Sequence, residues 1–135
     1  MVYWFTWQIG TCAYSELKDN GYIYDKAVTC DYTMRNAIAV YNLMDLEDGW
    51  NDPEQLAGRF LMMLANLKTN RRIILMCAAG ISRSNGMAMG LMSLYHNLEL
   101  DDAKRIVECL CPRANPMPDL MDAIWQAVTL VRGII

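Results

Sequence analysis

The chain has 135 residues, 54% of them apolar and 20% charged, with a mean hydropathy of +0.08. That composition suits one domain around one core and excludes both a disordered chain and two ordinary domains. A net charge of −3 provides no general basic field for nucleic acid or anionic lipid, so any phosphate recognition must be local to a pocket.

The opening Met1-Val-Tyr-Trp-Phe-Thr-Trp7 lacks the basic region and the apolar length of a signal peptide. Residues 2–7, 26–30 and 37–43 are short apolar or β-branched runs bounded by turn residues such as Asn20-Gly21, and they read as strands. Asn51-Asp52-Pro53-Glu54-Gln55 combines a capping Asp with Pro at the first helical position and so starts a helix. Leu56, Phe60, Met63, Leu64 and Leu67 give that helix a buried stripe, and basic residues over 68–72 mark its exit. Ile73-Ile-Leu-Met76 is apolar without alternation, the pattern of a strand covered on both faces.

A glycine-containing loop comes next, then a largely buried helix over 83–97. Its apolar part, 87–94, is far short of the ~20 residues that cross a bilayer. A further helix covers 101–110, with Ala103, Ile106, Val107 and Leu110 inward, and Pro112 ends it. The last helix runs over 118–131 with Leu120, Ile124, Val128 and Val131 on one face. Strands first, then strand, loop and helices, predict a single α/β domain over 1–135, with a central, mostly parallel sheet flanked by helices. The five cysteines are odd in number and show no metal-ligand spacing, which indicates a reduced compartment and a soluble, cytoplasmic protein.

Chemistry concentrates at Cys77, at the carboxyl end of the buried strand, with Gly80, Arg83 and Ser84 three, six and seven residues on. Thiol nucleophiles act as thiolates, and amides of Ala78, Ala79, Gly80, Ile81, Ser82 and Arg83 wrapped at a helix N-terminus favour negative charge there and hold phosphate. Gly80 permits the inward turn. Arg83 supplies a planar, always-charged fork for two phosphate oxygens. Ser84 puts a hydroxyl beside the sulfur to ease departure of thiolate from a cysteinyl-phosphate. At residue frequencies near 7%, five cysteines produce this spacing by accident in roughly a few chains per thousand, so the loop reads as a site. The alternative is a buried structural cysteine before an ordinary turn.

The loop Cys77-Ala-Ala-Gly-Ile-Ser-Arg-Ser84 resembles the Cys-x5-Arg-Ser/Thr loop of the dual-specificity protein phosphatases. The similarity extends to Tyr41-Asn-Leu-Met-Asp45, the capped helix, the strand before Cys77 and Cys111-Pro-Arg-Ala-Asn-Pro116, over roughly residues 37–130. It implies a phosphatase P-loop between central strand and helix, two-step hydrolysis through Cys77, and Asp45 as general acid, with Asp48 as the runner-up. No metal or other cofactor is implied. Asp52 reads as a helix cap, and Asp101, Asp102, Asp119 and Asp122 as helix-start or solvated residues. Rhodanese-like sulfurtransferases have a shorter loop and low-molecular-weight tyrosine phosphatases place theirs near the N-terminus, so neither fits. The uncharged loop side chains, without the lysines frequent in phosphoinositide phosphatases, favour a phosphorylated protein substrate, with no nucleic acid or membrane partner.

One departure stands out. The family usually has His before the nucleophile, and Met76 cannot donate a hydrogen bond to the loop, so slower chemistry is expected. His96 cannot replace it, because thirteen helical residues, about 20 Å of rise, separate it from Arg83. A phosphate-binding module with little turnover therefore stays open beside the active enzyme, as does an interaction domain with an incidental loop. Cys109 and Cys111 read as packing residues, Met87, Met89 and Met92 as core. Trp50 is placed either at the site rim or as a staple for the helix after it. Any other cysteine is open as a disulfide partner for oxidised Cys77.

Overall fold

A computed structural model describes residues 2–19, 30–32 and 38–135. The expected strand over 26–30 falls almost wholly outside these. Among the described residues five strands form one sheet: β1 (Tyr3–Trp4), β2 (Ile9–Ala13), β3 (Cys30–Tyr32), β4 (Ile38–Asn42) and β5 (Arg72–Cys77), in the order β1-β2-β5-β4-β3. The three central strands are parallel, with Ala13 opposite Cys77 and Asn42 opposite Met76, and each edge strand runs antiparallel to its neighbour. The sheet is thus parallel at its centre and mixed overall.

The strand expected over 2–7 is broken. Thr6 Oγ1 accepts the N–H groups of Gln8 (3.1 Å) and Ile9 (3.0 Å), and Phe5 N–H donates to Ile9 O (2.9 Å), which turns the chain back. The returning chain forms β2, a strand not signalled in the sequence. Its Ile-Gly-Thr-Cys-Ala composition has little β-propensity and, buried on both faces, no alternation. Its glycine is required by packing, since a Cβ on Gly10 would meet the Trp4 ring at 2.8 Å.

The described residues also form five helices: α1 (Tyr14–Asp19), α2 (Pro53–Lys68), α3 (Arg83–Tyr95), α4 (Leu100–Leu110) and α5 (Pro118–Ile134). The expected cap is present, Asp52 accepting Glu54 N–H at 3.0 Å, and the stripe from Leu56 to Leu67 is buried. All of Ser84 to Leu94 is buried, including Met87, Met89 and Met92, because α3 is packed between the sheet and helices α4 and α5. In α4, Ala103 and Val107 point inward as expected and Ile106 packs at the margin. Leu110, expected inward, is 46% exposed because the helix ends there and turns away at Cys111.

The sheet divides the core. Ile73 and Leu75 of β5 face the large cluster beneath α2, α3, α4 and α5, while Ile74 and Met76 face a smaller one with Cys12, Leu17, Ile38 and Val40 under α1. Strand β5 is therefore covered on both sides, as its sequence predicts, and its last residue emerges between layers. None of the described helices is long and apolar enough to cross a membrane.

Candidate active site

Cys77 ends β5, and the chain leaves the sheet over residues 78–82 before α3 starts at Arg83. Its Sγ lies 3.3 Å from Ser84 Oγ, within hydrogen-bonding reach of a hydroxyl on the first turn of α3. Over the sulfur opens a cavity of about 240 Å³, lined by Cys77, Ala78, Ala79, Ile81, Ser82 and Arg83 together with Asp48, Asn115 and Met117. The strand-loop-helix order expected from the motif is therefore the order found, and the loop residues meet around one concavity.

The inward turn occurs at Gly80, whose φ is +67°. A Cβ there would also sit 2.7 Å from Arg113 Nη2 and 2.8 Å from the Ala13 backbone nitrogen, so glycine is required twice over. The loop is fastened through its carbonyls. Gly80 O accepts from Asn85 Nδ2 (2.9 Å) and Arg113 Nε (3.1 Å). Ile81 O accepts from Asn115 N–H (2.9 Å) and Asn85 Nδ2 (3.2 Å), while Ser82 Oγ accepts Met117 N–H (3.0 Å).

Arg113 is itself held by Glu16 of α1, whose carboxylate also accepts Ala13 N–H at 2.8 Å. Desolvation alone would raise the Glu16 carboxyl, but the hydrogen bonds it accepts, that from Arg113 the strongest, outweigh it and hold it at about 2, against an ordinary 4.5. The same Glu16 bond raises Arg113 above its ordinary value. Asn85, Arg113, Glu16 and Asn115 were not singled out from sequence. The available signals were a polar Asn in an otherwise small and apolar helix, and a lone Arg between Pro112 and Pro116.

Arg83 reaches across to the segment after β4, donating through Nη1 to Met44 O and Leu46 O, each at 3.0 Å. Residues 44–50 are further tied by Asn42 Oδ1, which accepts Met44 N–H (3.0 Å), and by Asn51 Nδ2, which donates to Glu47 O (2.9 Å) and Gly49 O (3.1 Å). This segment holds both candidate acids. Asp45, the one expected to face the cysteine, is not among the cavity residues: Arg59 of α2 pairs with it through both terminal guanidinium nitrogens, drawing the carboxylate toward that helix. Asp48, the runner-up, lines the cavity. Trp50 is 51% exposed and does not line it.

Met76 is wholly buried in the small cluster under α1, so its thioether packs on the opposite side of the sheet. Cys12 lies in the same cluster, where burial first, then the negative charge of Glu16, pushes its thiol to about 12, an inert value. Cys111 is buried as a packing residue, with Asn85 Nδ2 at 3.7 Å from its sulfur; Cys109, also expected to pack, is exposed because it lies on the outer face of α4. His96 caps the C-terminal end of α3 at the surface. Among the described residues, no three His, Cys, Asp or Glu side chains are grouped to hold a metal.

The sequence matches no protein-family model and no curated protein. The fold does have relatives among solved structures. A human DUSP28 variant superposes with a TM-score of 0.72 at 12% identity, covering 99% of this chain and 98% of that one. Tk-PTP in its active form superposes at 0.70 and 14%, covering 95% and 96%. PTPMT1 in complex with PI(5)P gives 0.58 and 15%, over 66% of this chain and 57% of that chain. The chain has the fold of the dual-specificity and protein tyrosine phosphatases.

Proposed function

We propose that this chain is a cysteine-dependent phosphatase, a phosphomonoester hydrolase that acts as one catalytic unit over 1–135 on phosphorylated protein. The observation that carries the reading is the cavity of about 240 Å³ over Cys77, ringed by the loop that Gly80 turns inward and flanked by Arg83. A phosphate there meets the loop N–H groups and the Arg83 fork. Nη1 of Arg83 is committed to Met44 and Leu46, and its Nη2 and Nε serve the phosphate.

In the first step the Cys77 thiolate attacks phosphorus. The S–P bond forms as the P–O bond to the leaving group breaks, and a carboxylic acid protonates the departing oxygen. In the second, water attacks the cysteinyl-phosphate, the same carboxylate takes its proton, and the S–P bond breaks. Ser84 O–H, 3.3 Å from the sulfur, donates to the thiolate as it leaves. Asp48 is assigned as the acid, because it is the carboxylate at the cavity, and Asp45 as an anchor of its segment through Arg59. The uncharged side chains of Ala78, Ala79, Ile81 and Ser82 support a phosphoprotein over a highly charged phosphoinositide, a class that PTPMT1 shows the fold also accommodates.

A second reading, a phosphate-binding module with little turnover, is favoured by Met76, which leaves the residue before the nucleophile without a donor to the loop. Hydrolysis of an aryl phosphate, inhibited by vanadate and lost in Cys77→Ser, supports the enzyme. Phosphopeptide binding without turnover supports the module, and absence of both binding and turnover overturns the two together. A panel of phosphotyrosine, phosphoserine and phosphoinositide substrates tests the class. Asp48→Asn against Asp45→Asn, compared on a poor leaving group, tests the acid, which returns to Asp45 if only the latter slows.

A further inference from the structure

Behind the phosphate loop lies a buried polar pair that the two-step reaction does not itself use. Asn85 and Thr11 are almost wholly inaccessible, at 0% and 1% exposure. The Asn85 amide is fully engaged. Its Nδ2 donates to Gly80 O (2.9 Å) and Ile81 O (3.2 Å), and its Oδ1 accepts from Thr11 Oγ1 of β2 (2.8 Å).

The two carbonyls can only accept, so the NH2 side of the amide must face them and Oδ1 must face the hydroxyl. Thr11 therefore donates, and its bond to Oδ1 locks the amide in that direction. Each peptide unit is planar and trans, so a carbonyl and the N–H bonded to it through that unit point in opposite directions. Drawing Gly80 O and Ile81 O back toward Asn85 aims the N–H groups of Ile81 and Ser82 the other way, toward the side on which these two residues line the cavity.

Other groups share these carbonyls, but not equally. Arg113 holds only Gly80 and its side chain is 33% exposed, and Asn115 holds only Ile81. Among the described residues only Asn85 bridges both, and its own side chain is closed to solvent.

We infer that Asn85, oriented by Thr11, is a positioning residue that sets the anion-binding geometry of the loop, taking up from α3 the tethering that Met76 cannot supply from β5. The inference rests on the phosphatase reading and adds to it the residues that hold its loop open to phosphate. Deleting the outer hydrogen-bond partner of a metal ligand costs about 10- to 100-fold in affinity or activity, and a loss of the same order is expected for this tether.

The test uses the full chain at a temperature where every variant is folded by circular dichroism. Vanadate inhibition and aryl phosphate hydrolysis are measured for wild type, Asn85→Asp, Thr11→Val and Thr11→Ser. Asn85→Asp keeps the shape and removes both donors; Thr11→Val is near-isosteric and serves if Asn85→Asp does not fold. We expect vanadate binding to weaken about 10- to 100-fold in Asn85→Asp and Thr11→Val, with the loss in kcat/KM parallel to it, and Thr11→Ser to recover most of that affinity. A purely structural role lowers the unfolding midpoint and leaves vanadate affinity of the folded variants at the wild-type value, which overturns the inference while the phosphatase reading stands. Wild-type protein that neither turns over nor binds vanadate overturns that reading and the inference with it.

Discussion

The two loops that meet over Cys77 are held in opposite ways. Residues 77–84 are fastened from below, by the fully buried Asn85 and by the part-buried Arg113 that Glu16 holds, both of which donate to loop carbonyls. Residues 44–50 are fastened largely at the surface, by Asn51 and by an ion pair in which Asp45 is 51% exposed. A hydrogen bond shielded from water holds its geometry, because losing it leaves an unsatisfied buried group, whereas an exposed one is readily exchanged for water. The contrast matches two chemical tasks. On the proposed reading, the first loop binds an anion by fixed dipoles, and the segment carrying Asp48 has only to deliver a proton. Arg83 belongs to both, since its Nη1 joins the helix after the first loop to two carbonyls of the second.

Substitutions that strike these fastenings separate the two cases, and the largest effect belongs to the residue they share. Arg83→Lys loses the fork and the bridge together, and aryl phosphate turnover should fall by about 10²- to 10³-fold, with phosphate or vanadate affinity falling alongside. A loss confined to KM would show that Arg83 binds without contributing in the transition state. Next comes Gly80→Ala, which puts a side chain at φ +67° and 2.8 Å from the Ala13 nitrogen. We expect about 1–3 kcal/mol of destabilisation by denaturant titration, with weakened vanadate binding. An unchanged midpoint would mean that the loop is less tightly held than its bonds suggest.

A smaller effect comes through pH. The Glu16 carboxyl is at about 2 in the folded chain against an ordinary 4.5, so it binds its proton less readily when folded. Its contribution to stability is fully present above pH 4.5 and is lost as pH falls from there toward about 2. Glu16→Gln should therefore lower the unfolding midpoint at neutral pH and flatten its acid-side decline; parallel profiles for the two proteins would remove the clamp from the account. Smallest is Arg59→Ala. Breaking the exposed pair with Asp45 should change stability by about 0–1 kcal/mol, read by thermal melting, and leave the phosphate loop untouched. If it instead reduced turnover as Arg83→Lys does, the distinction between the loops would fail.

Much of this site is legible along the chain because its parts are local. The apolar run before Cys77, the glycine three residues on, and Arg83 and Ser84 at the start of a helix lie within one stretch, and backbone connectivity alone brings them round one concavity. The capped helix α2 is readable for the same reason, since Asp52, Pro53 and the stripe after them act over a few turns. Strand β2 was hidden because Gly10, Cys12 and Ala13 carry no strand signature; β2 is a strand because β5 supplies its hydrogen bonds on one side and Trp4 covers its glycine.

Thus the sequence by itself determined the strand-loop-helix setting of Cys77, Gly80, Arg83 and Ser84 and the α/β layering, all of which arise from short-range spacing and period. Tertiary structure decided which carboxylate reaches the cavity, because Arg59, fourteen residues from Asp45, draws that side chain toward α2 while Asp48 stays beside the loop. It also decided how the loop is held, through Asn85 to Thr11 and Arg113 to Glu16, pairs 74 and 97 residues apart in the chain. Contacts at that separation depend on how layers pack, and no periodicity in a single chain records them.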